Sequence, residues 1–278
     1  MKHICILLYF NFCYQFVISQ NNIIILDSST NKPIQLASIK VIHQPKGFYS
    51  NDKGIFNLTG INKYDTLLIS CIGYNNKFVE VKYLSNNTTI SLIPKAIKLE
   101  DVIINSSLPI YTIEYPTKKN QYLTSNITTE EAFKVLIPDK DRDRLIKILT
   151  IKLMLKKEKD NYLCRLHIYS VGKDGYPNEE ILKNNIYIVD NQISHKEVSL
   201  DISKYNITTS DTALFIGIEW IGKTEINKYN EMGPKIGVGI CLNESRTYTR
   251  TLLEKNYEWI LQKSGYPIYN MMVSIIYK

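Results

Sequence analysis

The sequence predicts an all-β protein of two units, a Greek-key β-sandwich first and a jelly-roll-like β-sandwich second. Three observations carry that expectation. Val, Ile, Thr and Tyr recur in short runs from residue 21 onward. Clusters of Gly, Asn, Asp and Pro separate the runs and mark turns. In the best-defined runs apolar and polar residues alternate with period two, the signature of a strand with one face buried.

The elements follow in order. Residues 1–19 read as a secretory signal: Lys2 and His3, an apolar run from Ile4 to Ile18 broken by Asn11 and Gln15, then Ser19. A spanning helix needs about 20 apolar residues, and this run is shorter and interrupted. Phe10-Asn11-Phe12 before Cys13 are too bulky for a lipid-attachment site, so a cleaved, unlipidated protein is expected. Ile23 to Leu26, Ala37 to Val41, Ile55 to Leu58, Asp65 to Cys71, Lys77 to Val81, Thr89 to Leu92 and Val102 to Ile104 read as strands of a first unit spanning 20–104. Asn51-Asp52-Lys53-Gly54 reads as a tight hairpin turn.

Residues 105–143 read as a connecting segment, with Thr128-Thr129-Glu130-Glu131-Ala132-Phe133 as a short helix start: a Thr cap followed by early acids. A second unit spans 144–278. Its strands are Ile148 to Leu155, Tyr162 to Tyr169, Ile186 to Val189, Val198 to Ile202, Ala213 to Trp220, Lys235 to Cys241 and Met271 to Tyr277. In Tyr162 to Tyr169 the alternation puts Cys164, Leu166 and Ile168 on one face and Arg165, His167 and Tyr169 on the other.

The first unit carries a composite pattern. It runs Leu26-Asp27, Thr30-x-x-Pro33-Ile34-x-x-Ala37-x-Ile39-x-Val41, Ser50-Asn51-Asp52-x-Gly54-x-Phe56-x-Leu58, Asp65-x-Leu67-x-Ile69-Ser70-x-Ile72-Gly73-Tyr74, and Leu99-x-x-Val102-x-Ile104. This resembles the carboxypeptidase-like regulatory domain of Bacteroidetes outer-membrane and secreted proteins, and the N-terminal extension of TonB-dependent receptors. The resemblance implies a prealbumin-like sandwich and an exported protein of the periplasm, outer-membrane periphery or cell surface. The second unit resembles the sandwich of unknown role that follows this domain in some of those proteins, through Arg165-Leu166-x-Ile168-Tyr169, Val198-x-Leu200-Asp201-Ile202 and Phe215-x-Gly217-Ile218-Glu219-Trp220. Neither a transporter barrel nor a metallocarboxypeptidase catalytic domain is part of the pattern. The motif residues have turn and core roles: Asp65 satisfies turn amides, Gly73 reverses the chain, and Tyr74 covers the sandwich end with its hydroxyl in water.

Chemistry is sparse. The net charge of +7 comes from lysines mixed with acids, without the clustered basic stripe of a nucleic-acid site. Cys71, Cys164 and Cys241 lie in apolar strands and read as small buried hydrophobes. His43, His167 and His195 have no ligand-pair spacing, so surface or packing roles are expected and no metal. Glu179-Glu180 and Asp141-x-Asp143 are paired carboxylates, and Asp174 with Asn178 are loop oxygens, without the spacing of a calcium loop. Trp220 reads as core, and Trp259 is ambiguous. The expected catalytic and metal residues are therefore none, no cofactor is implied, and no nucleic-acid partner or membrane span after signal removal is expected. The expected function is a non-enzymatic binding or scaffolding protein of the cell envelope, engaging a glycan or an outer-membrane protein. The alternative is a secreted polysaccharide-acting enzyme, or a carbohydrate-binding accessory, with its site in the second sandwich.

Overall fold

A computed structural model describes residues 21–86, 88–95, 109–114, 121–123, 126, 128–141, 144–156, 162–189, 192–193, 196–223, 235–241, 244–262 and 268–278. The expected signal segment, the Val102 to Ile104 strand, Asp143 and His195 lie outside them.

The first sandwich holds β1 (Asn22–Asp27), β2 (Ser38–Val41), β3 (Lys46–Tyr49), β4 (Ile55–Asn57), β5 (Thr66–Ser70), β6 (Lys77–Glu80) and β7 (Thr89–Leu92). One sheet has the order β4-β1-β7, with β1 and β7 parallel, and the other the order β3-β2-β5-β6. Ile23, Ile25, Phe56, Ile90 and Leu92 of the first sheet meet Ala37, Ile39, Val41, Leu67 and Ile69 of the second in one apolar core. The Asn51 turn forms: its Oδ1 accepts from the Lys53 and Ile55 amides at 2.9 Å, and Gly54 takes φ 70°. It is not a hairpin, because β3 and β4 belong to different sheets. Asp65 accepts from the Asn62 amide as expected. The Tyr74 hydroxyl does not stay in water; it donates to Asp27 Oδ2 at 2.8 Å.

The second sandwich holds β8 (Tyr111–Ile113), β9 (Gln121–Leu123), β10 (Thr129–Leu136), β11 (Ile146–Leu153), β12 (Leu155–Lys156), β13 (Tyr162–Val171), β14 (Pro177–Glu180) and β15 (Ile186–Val189). It continues with β16 (Val198–Asp201), β17 (Thr208–Thr209), β18 (Ala213–Lys223), β19 (Lys235–Cys241), β20 (Thr247–Thr251), β21 (Ile260–Leu261), β22 (Ile268–Met271) and β23 (Val273–Tyr277). Its front sheet runs β14-β13-β18-β10-β20-β21, with β15 also on β13. Its back layer joins β16-β11-β23-β8 to β12-β19-β22, because β11 passes into β12 at Met154 and β22 into β23 at Met272. Leu166, Ile168, Ile216, Ile218 and Trp220 of the front pack on Ile151, Leu153, Val238, Val273 and Ile275 of the back. The interior is mainly apolar, with Glu131 and Asp141 as buried acids at its margin.

The connecting segment expected at 105–143 is corrected. It contributes β8, β9 and β10, and all three pair within the second sandwich. The helix expected from Thr128 is β10, hydrogen-bonded to β18 on one side and β20 on the other. Cap and acid signals are weak local preferences, and a strand partner on each side outweighs them.

The outer face of β2 and β3 lies on the outer face of the front sheet. This explains why Ser38 and Lys40, which alternation would send to solvent, are buried. Lys40 Nζ donates across the junction to the carbonyls of Leu252 at 2.9 Å and Glu254 at 2.5 Å. Leu36 and Tyr49 of the first unit pack with Ile221 and Leu252 of the second.

Candidate functional site at the sandwich junction

Strand register assembles the site. Arg165 on β13 stands opposite Glu219 on β18, Glu219 opposite Glu130 on β10, and Glu130 opposite Arg250 on β20. One row across four strands thus reads cation, acid, acid, cation. In the next row His167 faces Gly217, and Gly217 faces Ala132. The small residues leave room for the imidazole: a Cβ on Gly217 would stand 3.2 Å from His167 Cβ and 3.3 Å from Glu130 Oε1.

His167 is the hub. Its Nδ1 donates to Glu180 Oε2 at 2.6 Å, and its Nε2 donates to Glu219 Oε2 at 3.1 Å. Glu219 also takes Arg165 at 3.3 Å, and the Tyr49 hydroxyl of the first sandwich donates to it at 2.7 Å. Arg165 reaches back, donating to the Leu36 carbonyl at 2.5 Å. Glu130 accepts from Arg250 Nε at 2.9 Å and from the Tyr169 hydroxyl at 2.5 Å. Glu180 Oε1 accepts from the Ile168 and Leu182 amides at 3.0 and 3.1 Å. Arg250 lies over the rings of Trp259 at 4.2 Å and Tyr257 at 4.7 Å, the geometry of a cation–π contact.

The electrostatics follow from burial and pairing. Burial disfavours a charged His167, but Glu130, Glu180 and Glu219 outweigh it and raise its pKa to about 10. Burial likewise opposes ionisation of Glu219, yet Arg165 and His167 hold its carboxyl well below the usual range. Burial and Glu219 together push the Tyr49 hydroxyl well up. With His167 protonated, three cations (Arg165, His167, Arg250) balance three carboxylates (Glu130, Glu180, Glu219). Buried charges persist only when paired in this way.

Of the residues singled out in the sequence, His167 and Glu180 meet here, while Glu179 and Asn178 stand exposed at the rim of the same cleft. His43 is exposed in the first sandwich's β2–β3 turn, outside the network. Asp141 is not a solvated loop acid; it is buried and accepts from the Tyr277 hydroxyl at 2.6 Å. Asp174 accepts from the Tyr176 amide in a local turn. Cys71 and Cys164 are buried and are not joined in a disulfide, and Trp220 is in the core. Sequence reasoning missed Glu130, Arg165, Glu219 and Arg250. Their signal was present as charged residues on one parity of β10, β13, β18 and β20. Among the described residues no group of three or more His, Cys, Asp or Glu is arranged to hold a metal ion.

Residues 24–104 match the family model for the CarboxypepD_reg-like domain. The first sandwich is a CarboxypepD_reg-like domain. That family is non-catalytic, and its motif residues here are turn and core residues of the sandwich. The junction is therefore formed between the CarboxypepD_reg-like domain and the second sandwich. No curated protein matches the chain. The chain is similar to the cysteine protease and lectin-like domains of Cwp84, a surface layer associated protein of Clostridium difficile, at 8% identity and TM-score 0.38, over 88% of this chain and 58% of that one. It is also similar to the infectious bursal disease virus Gt strain structure at 9% identity and TM-score 0.30, over 88% of this chain and 55% of that one. The chain thus spans 58% or less of the length of both. Among the described residues no helix is long and apolar enough to cross a membrane.

Proposed function

We propose that this chain is a non-enzymatic binding or scaffolding protein of a bacterial cell envelope, exported through its N-terminal segment. In it the CarboxypepD_reg-like domain and the second sandwich act as one rigid unit. The observation that carries this reading is the mutual pairing of Arg165, His167 and Arg250 with Glu130, Glu180 and Glu219 in the buried floor of the junction. A general base near neutral pH needs a pKa near the working pH. His167 at about 10 is held as the conjugate acid by carboxylates on both nitrogens. Glu219, held ionised by Arg165 and His167, is no general acid. Such a network joins two domains rather than turning over a substrate.

The test uses the full chain against a polysaccharide panel, scored for both saturable binding and release of reducing ends, beside an envelope pull-down. Binding to a glycan or envelope protein without turnover is expected. Turnover abolished by Glu219→Gln or Glu180→Gln contradicts the reading and supports a polysaccharide-acting enzyme.

A further inference from the structure

The junction is not fully closed. A cavity of about 240 Å³ opens between the two sandwiches. The buried network forms its floor, and Lys95 and Glu179 add one charge of each sign at the rim. Tyr74 and Tyr257 stand in its walls. The Tyr74 ring is fixed through its hydrogen bond to Asp27, and Tyr257 lies beside the Arg250 guanidinium. Arg165 lines the cavity and is 1% exposed, and its Nε–H has no hydrogen-bond partner among the described residues. A buried donor left unsatisfied costs about 1–3 kcal/mol, so the junction beside the cavity is not optimised for stability alone.

We infer that this cleft binds a neutral polyhydroxylated ligand, a single sugar residue or the end of a glycan. The inference rests on the binding reading above and names its site and ligand class. Donor and acceptor types decide the ligand class. Protonated His, Lys and Arg only donate, and ionised carboxylates only accept. Here both kinds line one space in equal number. The network charges are already paired with one another, and at the rim an entering anion meets Glu179 while an entering cation meets Lys95. A hydroxyl both donates and accepts, so adjacent hydroxyls satisfy both kinds of wall at no cost in net charge. Tyrosine faces suit the C–H surface of a sugar ring. The volume lies just under the roughly 300–1,000 Å³ of drug-sized pockets, which limits the occupant to about one ring.

Calorimetric titration of the full chain with neutral hexoses, N-acetylhexosamines, a uronic acid and free amino acids tests this. At least one neutral sugar is expected to bind with one-to-one stoichiometry. The exposed rim variants Glu179→Gln and Asn76→Ala are each expected to weaken it about tenfold, about the contribution of one hydrogen bond to a charged group, with unchanged thermal unfolding. Sugar binding that neither variant alters places the site elsewhere and overturns the inference while leaving the binding reading intact. Binding of the uronic acid or an amino acid but no neutral sugar overturns the ligand class. Retention of an envelope protein with no small ligand bound at all overturns the inference alone. Turnover of a glycan overturns the reading beneath it.

Discussion

The two faces of β13 are both buried, yet opposite chemistry buries them. Cys164, Leu166 and Ile168 enter a closed apolar core between the two layers of the second sandwich. Arg165, His167 and Tyr169 enter an ionic network beneath the CarboxypepD_reg-like domain. The apolar face is held by area removed from water, a force without direction that tolerates changes of shape. The polar face is held by a closed set of hydrogen bonds and charges in which every member depends on the others. The first kind of contact makes a sandwich. The second fixes one register between two sandwiches, because Glu219 must meet Tyr49 of the first unit and Arg165 must meet the Leu36 carbonyl.

The largest effect that separates the faces comes from removing one charge. Glu219→Leu leaves Arg165 and His167 without their shared carboxylate, and breaking a buried pair in this way costs about 3–5 kcal/mol. Leu166→Ala on the opposite face creates a cavity and costs about 2–5 kcal/mol. Denaturant unfolding of the two is expected to differ in kind as well as size. Glu219→Leu should separate the unfolding of the two sandwiches into two transitions, whereas Leu166→Ala should lower a single one. One shared transition in both variants breaks the comparison.

An intermediate effect is expected at Gly217. A methyl group there crowds His167 Cβ and Glu130 Oε1, and overpacking costs about 1–3 kcal/mol. Gly217→Ala is expected to lower the midpoint of thermal unfolding, and to cost less when introduced into His167→Ala than into the parent.

The most specific effect is on pH dependence. Glu219 has its folded pKa lowered from 4.5, so its contribution is present above about 4.5 and is lost as pH falls through the folded value. His167 has its folded pKa raised from 6.5 to about 10, so its contribution is complete below 6.5 and is lost as pH rises towards about 10. Stability measured by denaturant midpoint should decline on the alkaline side in the parent, and His167→Gln should flatten that decline. An equal alkaline slope in the variant shows that another group is responsible.

The strands themselves were legible. Alternation at Tyr162 to Tyr169 separated the two faces of β13 residue by residue, and the turn-and-core pattern from Leu26 to Tyr74 marked the first sandwich. What the alternation could not show is the cover. A polar parity reads as solvent-facing when nothing local opposes it, and the residues that cover it, Leu36 to Tyr49, lie over a hundred positions away in the chain. Glu130 was hidden for a different reason. Thr128-Thr129-Glu130-Glu131 has the composition of a helix start, and only pairing with β18 and β20 turns its acids into network members. Lys40 shows the same limit: its burial follows from the Leu252 and Glu254 carbonyls across the junction, not from β2.

The central claim is that the junction is a self-compensated ionic clasp with His167 locked in its charged form. Nitrogen-15 NMR of the His167 ring in the full chain measures this directly. An imidazolium with both nitrogens protonated is expected at pH 8, titrating only near pH 10. A neutral imidazole at pH 8, with one unprotonated nitrogen free to act as a base, would contradict it.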